Sequence, residues 1–306
     1  MPKTQNTHKV KPSNKSDEAS DKKLFENLSN EQKKIITDKG ITASKTAEQW
    51  LTLLEDIALF DEQTNESLKK SGAARGCLFL FASIFLIIPL LIFELYMVAL
   101  ALPVLAISYI IYMSIKRKKL AKIDVSNQLG SFIIPFIKLI KDDIKSTTVI
   151  DMSLKLHSFN TGTPTHKEKK RSNGYPKINT EYFLNPWFEL HTVLADKTRI
   201  NLNIVDNSRR LKVTKKTPRG KIKTKTKYKT KRLISSRISF NNTSYTADVS
   251  LLNNENYKVS IKEKESSSSL KLQTMDKFGG YKAVSTDQIF ELIGSGLNLL
   301  SSKKEG

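Results

Sequence analysis

Lysine occupies every second position from Lys221 to Lys231 in the stretch "GKIKTKTKYKTKR" (Gly220–Arg232). Side chains alternate across a strand. An extended chain would therefore line up Lys221, Lys223, Lys225, Lys227, Lys229 and Lys231 on one face, over roughly 33 Å at about 3.3 Å per residue. Just upstream, "RRLKVTKK" adds Arg209, Arg210, Lys212, Lys215 and Lys216, and "TPRG" adds Arg219. No acidic residue lies between Asn207 and Ala247. Like charges directly across a strand pair cost up to about 1 kcal/mol each, and the segment holds no carboxylate to offset them. The chemistry these twelve residues point to is polyanion binding. Anionic lipid headgroups attract a basic residue near their surface by about 1 kcal/mol. Nucleic acid is the other candidate, because a two-stranded ribbon fits a duplex groove. Tyr228 is the only aromatic in the arm, so base stacking is not a strong theme. The competing readings are an edge that carries lysine to block sheet-to-sheet pairing, for which a few lysines suffice, and a disordered Lys/Thr loop.

Other chemistry leaves little trace. No phosphate-cradling GxxxxGK[ST] or GxGxxG occurs, nor GxSxG or HExxH. The four histidines are scattered. His191 and Glu189 would share one strand face, which without a third ligand or base is an exposed polar face. No enzyme, cofactor or metal is expected. Cys77 is the single cysteine, which excludes an internal disulfide. The formal net charge of +21 over 306 residues predicts attraction to polyanions and says nothing about fold.

The elements that position the lysines follow from turn chemistry. Pro218 suits the first central position of a type I turn, and Gly220 the left-handed position after it. A three-residue loop, Pro218–Gly220, then closes a hairpin. In that register Thr217 pairs Lys221, Ile204 faces Ile234 and Ile200 faces Ile238. A two-residue loop would set Ile200 against Arg237, so the apolar pattern selects the longer loop. The result is a ribbon over 199–240, its base in a sheet and its tip projecting, with Arg210 opposite Tyr228, Asp206 opposite Arg232 and Lys215 opposite Lys223.

Around the ribbon, residues 147–306 read as a β-rich domain. "TVIDMSLKLHS" alternates Ile150, Met152, Leu154 and Leu156 with polar residues. "WFELHTVL" and "RINLNIV" flank a turn at "ADKT". Further strands are expected at Tyr245–Leu251, Tyr257–Lys262 and Leu270–Met275, with "NNEN" (Asn253–Asn256) turning the first two. Asn160 to about Thr180 and Ser266–Ser269 read as loops. "STDQIFELIGSGLNLL" reads as a capped C-terminal helix, its Gly294 and Gly296 marking close packing. An antiparallel sheet or barrel results.

Upstream, residues 1–22 read as a disordered basic tail and 23–70 as short amphipathic helices. Capping boxes stand at "SNEQ" (Ser29–Gln32) and "TAEQ" (Thr46–Gln49). Trp50, Leu53, Leu54, Ile57 and Phe60 form one face, to pack on the chain itself or on a second copy in a homo-oligomer. Residues 120–146 read as an amphipathic connector kinked at Pro135. Between them, 77–115 carries Glu94 as its only charge. At 1.5 Å per residue it is twice a bilayer core, which predicts a two-pass transmembrane helical hairpin with basic flanks and both termini cytoplasmic.

The expected protein is thus a non-enzymatic integral membrane protein of membrane-anchored α+β class, whose cytoplasmic ribbon binds anionic lipid or nucleic acid. The second expectation is a membrane-hairpin effector that oligomerises and permeabilises the membrane when its β-rich domain senses a ligand. A third is an assembly scaffold whose N-terminal amphipathic helices recruit a partner.

Overall fold

Alternating apolar residues build the sheet. The structure, a computed structural model, describes residues 25–70, 85, 92, 96–157, 162–170, 175–251 and 257–303. Strands β1 (Gly40–Thr46), β2 (Val149–Lys155), β3 (His166–Lys170), β4 (Lys177–Val193), β5 (Arg199–Lys216), β6 (Ile222–Asn241), β8 (Lys258–Lys262) and β9 (Ser267–Phe278) form one antiparallel sheet. Its order is β1-β2-β4-β5-β6-β9-β8, with β3 added beside β4. The path is open, so the architecture is a sheet and not a barrel. β7 (Tyr245–Ala247) and β10 (Leu300–Ser302) form a separate pair.

The chain divides into two units. One takes Met1–Lys33 and Leu59–Asp124, the other Lys34–Ala58 and Val125–Gly306. The second unit holds the sheet. Ile150, Met152 and Leu154 of β2, Ile200, Leu202 and Ile204 of β5, and Ile234 and Ile238 of β6 are all buried on one face. Helix α5 (Thr286–Asn298) covers that face. Gly296 lets it approach closely: a Cβ there would lie 2.5 Å from Ile238 Cδ1 and 2.8 Å from Leu272 Cδ1. Ser285 is its N-cap, but the side chain makes no cap hydrogen bond.

The expected connector helix packs in this unit as well. It forms a π-helical turn, Leu129–Ile133, followed by α4 (Ile134–Ile140). Pro135 explains the change of winding, since it has no N–H and its ring clashes with the carbonyl four residues back. The connector's apolar side, Leu129, Phe132, Ile133, Phe136, Ile137, Ile140 and Ile144, is buried throughout. Phe132 meets Phe188 edge-on at 5.2 Å, and Phe136 meets Phe290 at 5.3 Å.

The N-terminal helices are α1 (Asn30–Asp38) and α2 (Ala47–Lys70). Both capping boxes form. Ser29 N–H donates to Gln32 Oε1 at 2.8 Å and Gln32 N–H to Ser29 Oγ at 3.2 Å. Thr46 N–H donates to Gln49 Oε1 at 3.0 Å. The expected face of α2 is buried, and Trp50 Nε1 donates to the Ile150 carbonyl at 3.0 Å. Strand β1, between the two helices, was not expected. Lys39 takes a positive φ of 54°, and Gly40 enters the sheet where a Cβ would stand 2.7 Å from the Leu154 carbonyl oxygen.

The membrane expectation is corrected. Among the described residues no helix is long and apolar enough to cross a membrane. The expected second pass belongs to α3 (Tyr96–Ile123), which runs without a break into Lys116, Arg117, Lys118, Lys119 and Lys122. The two-pass transmembrane helical hairpin, the integral-membrane placement with cytoplasmic termini, the membrane-anchored class and the membrane-permeabilising effector are therefore set aside. Glu94 and, apart from Phe85 and Ile92, the expected first pass lie outside the described residues, as do the tail 1–22 and Asn253–Asn256.

Three further expectations change. The run expected as a loop up to Thr180 contains β3 and the start of β4, and Ser267–Ser269 open β9. Only Tyr245–Ala247 of the expected strand at Tyr245–Leu251 is extended, with a short 3-10 turn, Val249–Leu251, after it.

Candidate polyanion-binding blade

The hairpin closes as its turn residues require. Thr217 N–H donates to the Lys221 carbonyl at 2.8 Å, Gly220 N–H to the Thr217 carbonyl at 2.9 Å, and Gly220 has φ +77°. Ile204 pairs Ile234, Ile200 pairs Ile238, Arg210 pairs Tyr228 and Lys215 pairs Lys223, as the apolar matching predicts. β4 runs alongside, with Lys177–Asn185 paired to Asp206–Thr214, and β3 pairs Lys170–His166 to Ile178–Tyr182. The arm is therefore a four-stranded blade and not a two-stranded ribbon. β9 ends against β6 at Phe278, opposite Thr230, so β6 has a free edge from Lys229 to its tip.

Register assigns the cations to faces. Paired residues share a face, and the core lies under Ile204 and Ile234. Arg209 and Lys215 of β5 thus stand with Lys223, Lys225, Lys227, Lys229 and Lys231 on the outer face, with Lys221 continuing the row at the turn. Arg210, Lys212 and Lys216 lie on the face continuous with the core, and Arg219 sits in the turn. The six alternate lysines are all exposed. None has a carboxylate partner among the described residues. Arg210 does: it forms an ion pair with Glu181, whose hydrogen bond and charge raise the guanidinium pKa above its ordinary value. Its guanidinium also lies over the Phe183 ring, 5.3 Å from the centroid. Among the described residues, Arg210 is thus the one member of the expected set with an ion-pair partner. β3 and the start of β4 add Lys167, Lys169, Lys170 and Lys177. Beyond the root, residues 166–170, 177–185 and 207–231 together then carry sixteen Lys and Arg against the two carboxylates Glu168 and Glu181.

At its root the blade is fixed by a buried pair. Arg232 Nε and Nη2 donate to Asp206 Oδ1 and Oδ2 at 2.7 and 2.9 Å, and Nη1 donates to the Lys282 carbonyl at 2.9 Å. The two residues are 2 % and 4 % exposed. Trp187 and Phe278 flank the guanidinium, their ring centroids 5.9 and 4.9 Å away. Hairpin register alone implies this pair, but its burial depends on β9 and the Lys282 segment.

Where β9 leaves β6 there is a cavity of about 630 Å³. Tyr182, Arg209 and Lys229 lie across it in one row of the sheet, and Asn207, Lys231 and Lys277 in the next. Sequence reasoning missed it because Tyr182 lies between the expected loop, which ends near Thr180, and the expected strand that begins at Trp187, and was assigned to neither.

The polar pair singled out in the sequence, His191 with Glu189, lies beside a second pair, because Asp151 is the in-register neighbour of His191. His191 Nε2 lies 3.1 Å from Glu189 Oε1 on an exposed face, and Ser44 donates to Asp151. No protein-family model, curated protein or solved structure matches the chain.

Proposed function

We propose that the blade is a nucleic-acid-binding surface. One observation carries the reading: among the described residues, the exposed lysine row of β6 forms no ion pair with a carboxylate. A protein that only guarded a strand edge would need a few of these charges. Held at about 6.6 Å intervals, they match a linear polyanion better than a small anion.

The mechanism is electrostatic. Each ammonium group that meets a phosphate releases a condensed counterion, so affinity falls with salt by about 0.7–0.9 logarithmic units per phosphate contact. The sheet keeps the lysines extended and parallel, so little order must be imposed on binding. The test compares the full chain with a variant carrying alanine at Lys223, Lys225, Lys227 and Lys229, on single-stranded and duplex oligonucleotides across a salt series. The expected result is weaker binding and a salt slope shallower by roughly 3. Binding that is unchanged by the four substitutions, or absent in both proteins, sinks the proposal and leaves edge protection as the role of the lysines.

A further inference from the structure

We infer that the cavity at the β6–β9 corner receives an unstacked base of a single strand whose phosphates follow the lysine row. This rests on the nucleic-acid reading above and narrows it. Proteins that hold single strands combine a cationic groove with aromatic rings on which bases stack, and both parts meet here. The Tyr182 ring is half-buried and held in place. The His166 ring lies 5.7 Å from it, and its hydroxyl donates to Glu168 at 3.3 Å. Arg209 is its in-register neighbour, and beyond Arg209 lies Lys229. Asn207, exposed in the next row, offers both a donor and an acceptor to a base edge. No carboxylate lines the cavity, and Lys231 and Lys277 close its far side. Its volume of about 630 Å³ falls within the range of small-molecule sites.

Position favours a strand over a free nucleotide. The cavity sits where β9 ends, at the head of the free edge of β6, so a base seated there has the remaining lysines running away from it. A duplex keeps its bases stacked and cannot offer one to a site on a sheet face. A plain polyphosphate has nothing to put there.

The experiment uses the full chain and measures binding of an oligo-uridine strand, a mononucleotide, a duplex of equal length and inorganic polyphosphate. Tyr182→Leu removes the π-face, and Tyr182→Phe keeps it while losing the hydroxyl. The expected result is that Tyr182→Leu weakens single-strand binding roughly 5- to 100-fold. Tyr182→Phe should stay near wild type, polyphosphate affinity should be unchanged in both, and the mononucleotide should bind far more weakly than the strand. Lysine-dependent binding in which Tyr182→Leu leaves the single strand unaffected, or weakens polyphosphate equally, overturns the corner site and leaves the blade reading standing. Absence of lysine-dependent binding to any of the four ligands overturns both.

Discussion

The Asp206–Arg232 pair is the residue on which the blade root turns. Removing one member of a buried, hydrogen-bonded ion pair strands the other charge, at a cost of about 3–5 kcal/mol. Asp206→Ala should therefore lower unfolding free energy by that amount in denaturant titration. The double variant Asp206→Leu/Arg232→Met should recover most of the loss, because an apolar pair removes both desolvation penalties. The two glycines of α5 should respond with opposite sign. Gly294 has nothing within 4 Å of an added Cβ, so Gly294→Ala should stabilise by up to about 1 kcal/mol through helix propensity. Gly296→Ala has the same propensity gain but drives its methyl into the fully buried Ile238 and Leu272, and should destabilise by about 1–2 kcal/mol net. Tyr257 supplies a pH signature. Burial first, then the Glu291 charge and hydrogen bond, push its phenol up to about 12 from 10.0. A raised pKa means the folded state holds the proton more tightly. That contribution is complete below pH 10 and is lost as pH rises through about 12. Tyr257→Phe should flatten this alkaline loss when denaturant midpoints are measured across that window.

At the scale of elements, the β5–β6 hairpin carries repulsion that one substitution can relieve. Lys223→Glu places a carboxylate opposite Lys215. It should raise stability by about 0.2–1 kcal/mol at low salt, and the gain should shrink in high salt, where exposed charges are screened. The register of this hairpin was legible in the sequence because two independent signals agreed: the Pro-Arg-Gly loop fixed its length, and the isoleucines could match in only one way. β3 and β1 were not legible, for a common reason. "HKEKK" is exposed at every position and "GITASKT" buries none fully, so no apolar alternation marks either. Their strand state is imposed by a neighbouring edge, which is tertiary information. The corner cavity was not legible either, since Tyr182 meets Arg209 only through the pairing of β4 with β5. The 77–115 run shows the converse error. Hydropathy measured how apolar the segment is and did not show where its helix would stop.

At the scale of the whole molecule, the sheet-bearing unit is assembled from two stretches of chain, Lys34–Ala58 and Val125–Gly306. If they form one cooperative body, a core substitution in either must move the same transition. Trp50→Ala and Ile204→Ala, each removing a fully buried side chain, should each cost on the order of 2–5 kcal/mol. Both should shift a single denaturation midpoint, followed by circular dichroism and by fluorescence of the remaining tryptophan or tryptophans. Divergent probes would show the two stretches unfolding separately.

The pairing of β1 with β2 also sets an order in time. Ser44 and its partner Asp151 are 107 residues apart. At about 5–20 residues per second of synthesis, the first strand leaves the ribosome on the order of 5–20 s before its partner exists. Through that interval Trp50, Leu54 and Ile57 have no sheet to pack against. A nascent chain arrested short of β2 would present this unburied apolar face to whatever holdase attends the exit tunnel, and release from it would come only when β2 and β4 are complete.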